Sequence, residues 1–250
     1  MNMYVIFTPN GFKNLNIPPP DIAIVLDILR ATTTITQALE SGATQVLTFS
    51  SPEELNEYAN QQASNPMFNP IKMGERDGIK LPCFDYGNSP VILSNLDLHN
   101  KSILMTTTNG TKAIASCSNA RTVVCACLRN RMAISRFIAR EKYNTLLFVC
   151  SGWKNSFSLE DTIGAGAIID AVMDDYPDAE LKNDEALCAL TLYQYHSNKN
   201  IYQSLCMSSH GKRLLNIGLQ KDIEWCSQID VSNIVPIQKE KGQFERHILV

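Results

Sequence analysis

Short apolar runs alternate with longer amphipathic stretches along the chain, a pattern that predicts a mostly parallel sheet covered by helices. Six brief runs rich in β-forming residues are predicted strands, at residues 22–26, 45–49, 71–73, 102–105, 122–126 and 145–149. Apolar spacing with the helical period predicts helices at residues 51–63, 129–141 and 159–173. Ser51, Pro52 and Glu54 add start signals to the first of these helices. The pattern therefore indicates an α/β fold.

The segments outside these elements have their own signatures. Residues 74–90 are rich in Gly, Pro and Asp with little periodicity, and we predict a long ordered loop, which at that length is usually functional or disordered. From Asp184 to about Cys226 the pattern is helical, with breaks predicted at Gly211 and Gly218. Two β-like runs close the chain, at residues 234–238 and 244–249.

No linker-like composition interrupts the chain, so we expect one α/β domain over residues 1–250. Residues 32–34 and 106–108 are both Thr-Thr-Thr, and each lies in the order strand, Thr-rich turn, helix, strand. This order suggests two loosely similar halves. The apolar run 244–250 would expose an edge if it ended a monomeric sheet, and we therefore predict a homodimer.

Composition narrows the classes of partner. Hydrophobic residues make up 44% and charged residues 19% of the chain, as in ordinary globular proteins. The net charge of −3, without a cluster of Lys and Arg, lacks the electrostatic contribution that DNA or RNA binding needs. No run approaches the roughly 20 apolar residues of a membrane span, and the N-terminal apolar patch is too short for a signal peptide. We expect a cytoplasmic protein without a nucleic-acid or membrane partner.

The eight cysteines lie mostly in apolar segments, so free buried thiols are expected. No Cys-x₂-Cys pair and no His at ligand spacing from a Cys indicates a zinc site.

Polar groups follow four of the predicted strands. In open α/β sheets ligands bind beyond the carboxyl ends of strands, so these residues are the candidate site. They are Asp27, Arg30, Thr32, Thr33 and Thr34 after the first strand; Glu75 and Arg76 after the third; Thr107, Thr108, Asn109, Gly110 and Thr111 after the fourth; and Glu160 and Asp161 beyond the sixth.

These residue types suit a metal-assisted phosphate site. Backbone N–H groups, hydroxyls and the positive end of a helix dipole at the turn 107–111 favour an anion. Arg30 and Arg76 add forked donors for phosphate, carboxylate or sulfonate oxygens. Four carboxylates supply hard oxygen ligands of the kind Mg²⁺ prefers, at Asp27, Glu75, Glu160 and Asp161.

Structural explanations compete with this interpretation. Thr-rich turns commonly cap helices without binding anything, and Glu160 and Asp161 favour a helix N-terminus on their own. Asp27 and Arg30 could form an ion pair that braces the loop. The concentration of such groups at four separate strand ends favours the functional interpretation.

A second phosphatase class also has a candidate motif. The segment from Cys125 to Arg131 fits C-x₅-R, the phosphate loop of cysteine-dependent phosphatases. Its interior has no Gly, no His precedes the Cys, and Cys125 lies within a predicted strand. A buried thiol at the end of a strand is therefore the preferred explanation.

Four motifs occur in order along the chain: Asp27-x-x-Arg30-Ala31-Thr32-Thr33-Thr34, Gly74-Glu75-Arg76, Phe84-Asp85-Tyr86-Gly87-Asn88-Ser89-Pro90 and Thr107-Thr108-Asn109-Gly110-Thr111. With them the chain resembles the 2-phosphosulfolactate phosphatase family of the ComB type. The resemblance extends over nearly the whole chain through Asn130, Cys150, Ser151, Gly152, Glu160, Asp161, Ala165, Gly166, Gly211, Gly218, Asp222, Ile223 and Cys226. Arg131 and Cys83 depart from it, since small residues are expected at both positions.

The resemblance implies a Mg²⁺-dependent hydrolase that removes phosphate from 2-phospho-3-sulfolactate, a step of coenzyme M synthesis. It also implies a three-layer α/β/α fold with a mostly parallel or mixed sheet. The resemblance does not distinguish this substrate from a similar small phosphorylated acid.

Combining the resemblance with the residues, we expect Asp27 or Glu75 to activate water or to attack phosphorus directly, and the sequence leaves both routes open. We expect Asp27, Glu160 and Asp161 to bind the metal, and the arginines and Thr turns to bind substrate. The alternative is a non-catalytic binder or sensor of small phosphorylated or sulfonated acids.

Overall fold

An eleven-stranded mixed sheet runs through the molecule, which a computed structural model describes over residues 1–65 and 68–248. In chain order the strands are β1 (Asn2–Ile6), β2 (Ile22–Leu26), β3 (Gln45–Thr48), β4 (Pro70–Arg76), β5 (Ile79–Lys80), β6 (Ser102–Thr106), β7 (Thr122–Ala126), β8 (Thr145–Cys150), β9 (Glu180–Leu181), β10 (Ile234–Glu240) and β11 (Gln243–Ile248). Their order across the sheet is β5-β4-β6-β3-β11-β10-β7-β2-β8-β1-β9.

Helices cover the sheet. They are α1 (Ala31–Glu40), α2 (Pro52–Gln61), α3 (Pro90–Ser94), α4 (Gly110–Ser116), α5 (Arg131–Glu141), α6 (Leu159–Asp175), α7 (Asp184–Ser197), α8 (Ile201–Met207), α9 (Ser209–Asn216) and α10 (Gln220–Cys226), with short 3₁₀ helices at Pro9–Asn14 and Leu128–Asn130. None of the helices in the described ranges combines the length and the apolar character needed to cross a membrane.

The sheet has apolar layers on both faces. In β2, Ile22, Ile24 and Leu26 belong to one buried cluster, whereas Ala23 and Val25 belong to another. Successive strand side chains point to opposite faces, so both faces of β2 are covered, as in a three-layer α/β/α fold. The predicted fold class is confirmed.

Two parallel blocks make up most of the sheet. One contains β7, β2, β8, β1 and β9, and the other contains β3, β6 and β4. The antiparallel hairpin β10–β11 joins them through antiparallel pairs with β7 and β3. The two blocks consequently run in opposite senses along the sheet. Neighbouring strands rotate by about 20–25°, so the four steps from β2 to β3 accumulate roughly 80–100° of twist.

Helix α1 lies across this junction. It follows β2, packs against β7, β10 and β11, and leads to β3 in the other block. Residues 31–39 of α1 are all buried. The chain makes a second crossing in the reverse direction, from β6 through α4 to β7. Each Thr-Thr-Thr segment thus lies at or just beyond the carboxyl end of an interior strand, β2 in one block and β6 in the other. Duplication itself stays a prediction.

The observed elements correct several boundaries. Residues 74–90 do not form one long loop, because β4 continues to Arg76 and returns as β5. Gly211 is not a break, since it lies inside α9, where a Cβ would stand 1.9 Å from the Leu205 carbonyl oxygen. Gly218 does end that helix, with a φ of +77°.

The reason for predicting a homodimer does not hold. β11 is not an edge strand, because it pairs with β10 on one side and β3 on the other, and Phe244 is fully buried. Leu249 and Val250, which belong to the same apolar run, lie outside the described residues. The homodimer stays a prediction without this support.

The packing of α6 on α7 generates a stability prediction. A Cβ on Gly166 would stand 2.0 Å from the backbone oxygen of Ala189 and 2.8 Å from the Tyr193 Cβ. Overpacking of this kind typically costs about 1–3 kcal/mol. We expect Gly166→Ala to lower the free energy of unfolding, measured by urea denaturation, by at least about 2 kcal/mol. Gly87→Ala is the matched control, because its Cβ would meet nothing closer than 3.5 Å; equal losses in the two variants would contradict the prediction.

Candidate active site

A small cavity lies beyond the carboxyl end of β2, beside β4 and the turn after β6. Its lining residues are Asp27, Leu29, Arg30, Glu75, Asn88, Thr107, Asn109, Trp153 and His210. Five of them, Asp27, Arg30, Glu75, Thr107 and Asn109, are predicted site residues. The cavity draws them from both parallel blocks, so the strand ends do converge despite their opposite senses.

Asp27 fixes the start of α1. Its Oδ1 accepts the Ala31 N–H at 3.1 Å. The backbone N–H of Asp27 donates to Thr32 Oγ1 at 3.0 Å, and that hydroxyl donates to the Asp27 carbonyl. The first turn of α1 contains no acidic residue. Asp27 therefore supplies the negative charge that stabilises the N-terminus of this helix.

The hydroxyls of the first Thr segment face protein atoms. Thr33 Oγ1 donates to the Ile28 carbonyl at 2.9 Å, and Thr34 Oγ1 donates to the Asn88 carbonyl at 3.4 Å. All three threonines of this segment are 0–1% exposed. They brace the loop behind the cavity in this structure, and direct contact with substrate stays a prediction.

The second Thr segment approaches Asp27 through Gly110. A Cβ on Gly110 would stand 2.7 Å from Asp27 Oδ2 and 2.5 Å from the Ala31 Cβ. Only glycine permits this approach, so the residue type at 110 sets the distance between α4 and α1. Thr107 and Thr111 stabilise the same turn, since Thr111 N–H donates to Thr107 Oγ1 at 3.3 Å.

Glu75 ties β4 to this turn. Its Oε1 accepts the N–H and the hydroxyl of Thr108 at 2.8 and 2.9 Å, and its Oε2 accepts the Gly78 N–H at 2.5 Å. Arg76 donates to the Glu75 carbonyl and to Thr106 Oγ1. Glu75 is therefore held by three donors, whereas Asp27 has one oxygen directed at Gly110.

Arg30 does not pair with Asp27. Its Nη1 donates to Asp222 Oδ2 at 2.6 Å, in an ion pair whose two side chains are each 3% exposed. The Ser89 hydroxyl donates to the other oxygen of Asp222, also at 2.6 Å. The ion-pair partner of Arg30 thus comes from α10. Asp222 holds the Arg30 guanidinium at the cavity, and the Ser89 hydroxyl in turn holds Asp222.

Glu160 and Asp161 open α6 behind Ser158, whose hydroxyl accepts the Asp161 N–H at 3.4 Å. Asp161 Oδ1 accepts the Ile28 N–H at 2.9 Å, and Oδ2 accepts from the Ser151 hydroxyl and the Gly152 N–H. Asp161 therefore connects the loop after β2 to the loop after β8. Both of its oxygens are engaged by the protein.

Four carboxylates are buried together here. Asp27, Glu75, Glu160 and Asp161 are 2–7% exposed. Among the described residues, no side-chain nitrogen of Lys, Arg or His lies within 4 Å of their carboxylate oxygens. Burial, with the charges of Glu75 and Glu160, raises the pKa of Asp27 from its ordinary 3.8 to about 6. Burial and the charges of Glu160 and Asp27 raise the pKa of Asp161 well above its usual range. Burial also raises the pKa of Glu160.

This charge distribution fits a divalent cation. Unpaired buried carboxylates with raised pKa values gain from a nearby positive charge. Within the described part of the chain, no three His, Cys, Asp or Glu side chains surround one point closely enough to enclose a metal. Mg²⁺ does not require such a cage, because it commonly keeps several waters and takes one or two carboxylates together with substrate phosphate. Asp27 and Glu160 suit this role better than Asp161.

Sequence reasoning missed several lining residues. Asn88 and His210 line the cavity with buried atoms, Oδ1 and Nδ1, that have no hydrogen-bond partner among the described residues. The rings of His210 and Trp153 pack with centroids 4.6 Å apart. Asn88 and Asp222 lie within motifs that carry the family resemblance, and this position could have identified them as site residues. Trp153 follows the carboxyl end of β8, so its position beyond a strand end was a signal for it. His210 has no local signal, because it reaches the cavity only through the tertiary fold.

The C-x₅-R segment forms no phosphate loop. Cys125 is fully buried in β7, and burial raises the pKa of its thiol well above the ordinary value. Arg131 instead pairs with Asp230 at 2.7 Å. A neutral thiol that solvent does not reach cannot act as the nucleophile of a cysteine-dependent phosphatase.

Known proteins resemble this chain over its length. A model of the 2-phosphosulpholactate phosphatase family matches residues 6–241. A Gloeothece citriformis protein named probable 2-phosphosulfolactate phosphatase is 38% identical over 242 residues, which cover 97% of this chain and 98% of that protein. A protein with the same name from Thermosynechococcus vestitus is 39% identical, and the match covers 95% of this chain and 96% of that protein. Another, from a Cyanothece species, is 36% identical, and the match covers 99% of this chain and 100% of that protein. Since these matches span every element from β2 to α10 that contributes to the cavity, the chain belongs to the 2-phosphosulpholactate phosphatase family.

Proposed function

We propose that this protein is a Mg²⁺-dependent phosphatase that hydrolyses 2-phospho-3-sulfolactate, or a similar small phosphorylated acid, to sulfolactate and phosphate. Family membership and the names of its relatives support the reaction class. The observation that carries the proposal is the cavity in which buried carboxylates face a positioned guanidinium, Arg30, and unpartnered polar atoms of Asn88 and His210. A role in coenzyme M synthesis follows if 2-phospho-3-sulfolactate is the substrate.

Arg30 is the residue best placed to bind phosphate oxygens. One guanidinium nitrogen is committed to Asp222, and another is 3.5 Å from the Gly78 carbonyl oxygen. The buried ion pair holds the group in one orientation before substrate arrives, so little side-chain entropy remains to be lost on binding. Arg76 is engaged with Glu75 and Thr106, and we assign it to holding β4 at the cavity.

Asp27 is the preferred carboxylate for the chemical step. In the metal-free protein, a carboxyl group with a pKa of about 6 is mainly ionised at neutral pH, so it is ready to bind a cation or to act in the chemical step. Glu75 is less available, because three donors occupy its oxygens. Asp27 would either accept a proton from the attacking water or attack phosphorus itself, and both routes use the same carboxylate.

Mg²⁺, when bound, supplies Lewis-acid polarisation of the phosphoryl oxygens. Asp27 and Glu160 would hold the ion, with Asp161 fixing the two loops that carry them. The Ala31 N–H fixes one oxygen of the Asp27 carboxylate, and the Thr32 hydroxyl fixes the Asp27 backbone. Such preorganisation is a major source of rate enhancement in polar sites.

A non-catalytic binder or sensor of small phosphorylated or sulfonated acids is the alternative. An anion sensor gains nothing from burying carboxylates that repel its ligand, whereas a metal-dependent hydrolase uses them. The buried carboxylates therefore favour the enzyme.

Phosphate release tests the proposal directly. We expect the purified protein to release inorganic phosphate from 2-phospho-3-sulfolactate with Mg²⁺ present and to lose this activity in EDTA. A series of small phosphorylated acids, with a phosphopeptide as the control substrate, would define specificity. Absence of release from every compound in Mg²⁺ would reject the phosphatase in favour of the binder.

Asp27→Asn should be the most damaging single substitution. The amide keeps the acceptor for the Ala31 N–H but cannot act as base or nucleophile, so we expect kcat to fall by at least roughly 10²–10³. Asp178→Asn, at an exposed carboxylate, should leave kcat within about twofold. A loss below about tenfold in folded Asp27→Asn protein at saturating Mg²⁺ would remove the catalytic assignment.

The buried charge of Asp27 should also make the free energy of unfolding depend on pH. Its folded pKa of about 6 exceeds the unfolded value of 3.8, so between these pH values the folded state binds more protons and stability falls as pH rises. The full loss of about 3 kcal/mol applies above about pH 7, where the folded carboxyl group is mainly ionised. In EDTA, Asp27→Asn should therefore melt at a higher temperature than the wild type at pH 7.5, with a difference that shrinks towards pH 4. Mg²⁺ should raise the melting temperature of the wild type more than that of the variant. A variant less stable than wild type at pH 7.5 would contradict this account.

The cysteine route predicts a different sensitivity. We expect Cys125→Ser to retain most phosphatase activity, and wild-type activity to survive mild alkylation, because the chemistry needs no thiolate. Complete inactivation of a folded Cys125→Ser variant, checked by its melting temperature, would restore the cysteine mechanism.

A further inference from the structure

One nitrogen of a guanidinium beside the cavity has no hydrogen-bond partner in the described part of the chain. Arg213, on α9, has a buried Nη1 with no hydrogen-bond acceptor among the described residues. Its Nη2 lies 3.8 Å from Asp77 Oδ1, which is beyond hydrogen-bond distance, and the Asp77 side chain is 63% exposed. Buried N–H donors are normally satisfied, so this nitrogen points to an acceptor outside the protein.

Arg213 adjoins the cavity through an aromatic side chain. Its guanidinium carbon lies 4.8 Å from the ring centroid of Trp153, and the Trp153 ring packs on that of His210. Both rings line the cavity. Burial, then the charges of Arg30 and Arg213, lowers the pKa of His210 to about 3, so a neutral imidazole lies near both guanidinium groups.

Gly78 shows how close the two arginines are. Arg30 Nη2 is 3.5 Å from the Gly78 carbonyl oxygen. A Cβ on the same residue would stand 3.5 Å from Arg213 Nη2. The two guanidinium groups thus flank one residue at the tip of the β4–β5 hairpin. A small molecule with two acidic groups could reach both.

A second cation completes the arrangement. Lys154 Nζ lies 3.8 Å from the same Asp77 oxygen and 5.5 Å from the Trp153 ring centroid. The Asp77 carboxylate therefore lies between Lys154 and Arg213 at equal distance and hydrogen bonds to neither. An exposed pair at this separation contributes little stability, so a better anion can replace it.

We propose that Arg213 and Lys154 form a second anion subsite beside Arg30, which binds the sulfonate or carboxylate group that the substrate carries in addition to its phosphate. The subsite rests on the proposed function, because Arg30 is taken to hold the phosphate. Arg213 supplies forked donors and Lys154 a second positive charge, while the Trp153 and His210 rings contact the carbon chain between the acidic groups. The enzyme would thereby select phosphate esters that carry a further strong acid and reject simple phosphomonoesters.

Binding of 3-sulfolactate, measured by isothermal titration calorimetry on the full chain with Mg²⁺, tests the subsite without turnover. We expect Arg213→Met to weaken this binding by about 10-fold to 100-fold, the range typical of a lost charge-assisted hydrogen bond. Lys212→Met is the matched control, since it removes the same charge from an exposed position on the same helix, and it should change Kd by less than about twofold.

Titrations with two further ligands show which acidic group of the substrate the subsite binds. Inorganic phosphate should bind wild type and Arg213→Met within about twofold, because Arg30 is intact. Lactate, which carries a carboxylate but no sulfonate, identifies the group bound: equal weakening of lactate and 3-sulfolactate assigns the carboxylate, and weakening of 3-sulfolactate alone assigns the sulfonate. Asp77→Asn should tighten 3-sulfolactate by about two- to fivefold, because Asn tolerates the left-handed φ of +54° and removes the competing charge.

Unchanged 3-sulfolactate binding in Arg213→Met, or equal losses for 3-sulfolactate and phosphate, would overturn the subsite. If Arg213→Met does not fold, as judged by its melting temperature, Lys154→Met carries the test with an expected loss of about threefold. The proposed function fails separately: wild type that binds 3-sulfolactate through Arg213 but releases no phosphate from any ester would keep the subsite and reject the phosphatase.

Discussion

The carboxylate of Asp27 is buried where the two parallel blocks of the sheet meet, and it contacts both. One oxygen holds the Ala31 N–H and so sets the entry of α1, the helix that crosses from the first block to the second. The other lies against Gly110, at the start of the helix that crosses back. Neither helix can shift at its N-terminus without moving this carboxylate. The geometry of the cavity therefore depends on one side chain and on the missing Cβ opposite it.

Burial of several carboxylates around this junction is electrostatically unfavourable. Arg30, the nearest guanidinium in the sequence, is paired with Asp222 and does not neutralise Asp27. Protein donors hold Glu75 and Asp161 in place without supplying a positive charge. Buried carboxylates that raise one another's pKa values concentrate at functional sites. Their repulsion destabilises the empty protein, and a bound metal or ligand relieves it.

The C-terminal third of the chain completes a site whose chemistry begins in the N-terminal half. The hairpin β10–β11 joins the two blocks. The short helices before it contribute His210 to the cavity lining and bring Asp222 to Arg30. Asp222 orients Arg30 across 192 residues of sequence. Because these helices carry the partners of the strand-end residues, the N-terminal motifs form a working constellation only when the C-terminal helices are docked.

The sequence by itself determined the α/β class, the positions of β2 and β7, and most of the polar residues that meet at the cavity. These features are local: periodicity specifies an element, and a strand end specifies where polar groups emerge. The ordered motifs also identified the family, since they preserve residue type and spacing without reference to contacts.

Tertiary structure decided which groups are free to act. The hydroxyls of residues 32–34 and the oxygens of Asp161 are consumed by protein hydrogen bonds, which no spacing rule reveals. Arg30 and Asp27 are three residues apart and yet have different partners, because α10 brings Asp222 to Arg30 with better geometry. Likewise, the run at the end of the chain resembles an edge strand but becomes a central one, because pairing partners are chosen by the packing of the whole sheet. Long-range contacts of this kind depend on how elements dock, and a linear pattern of residue types carries no record of docking.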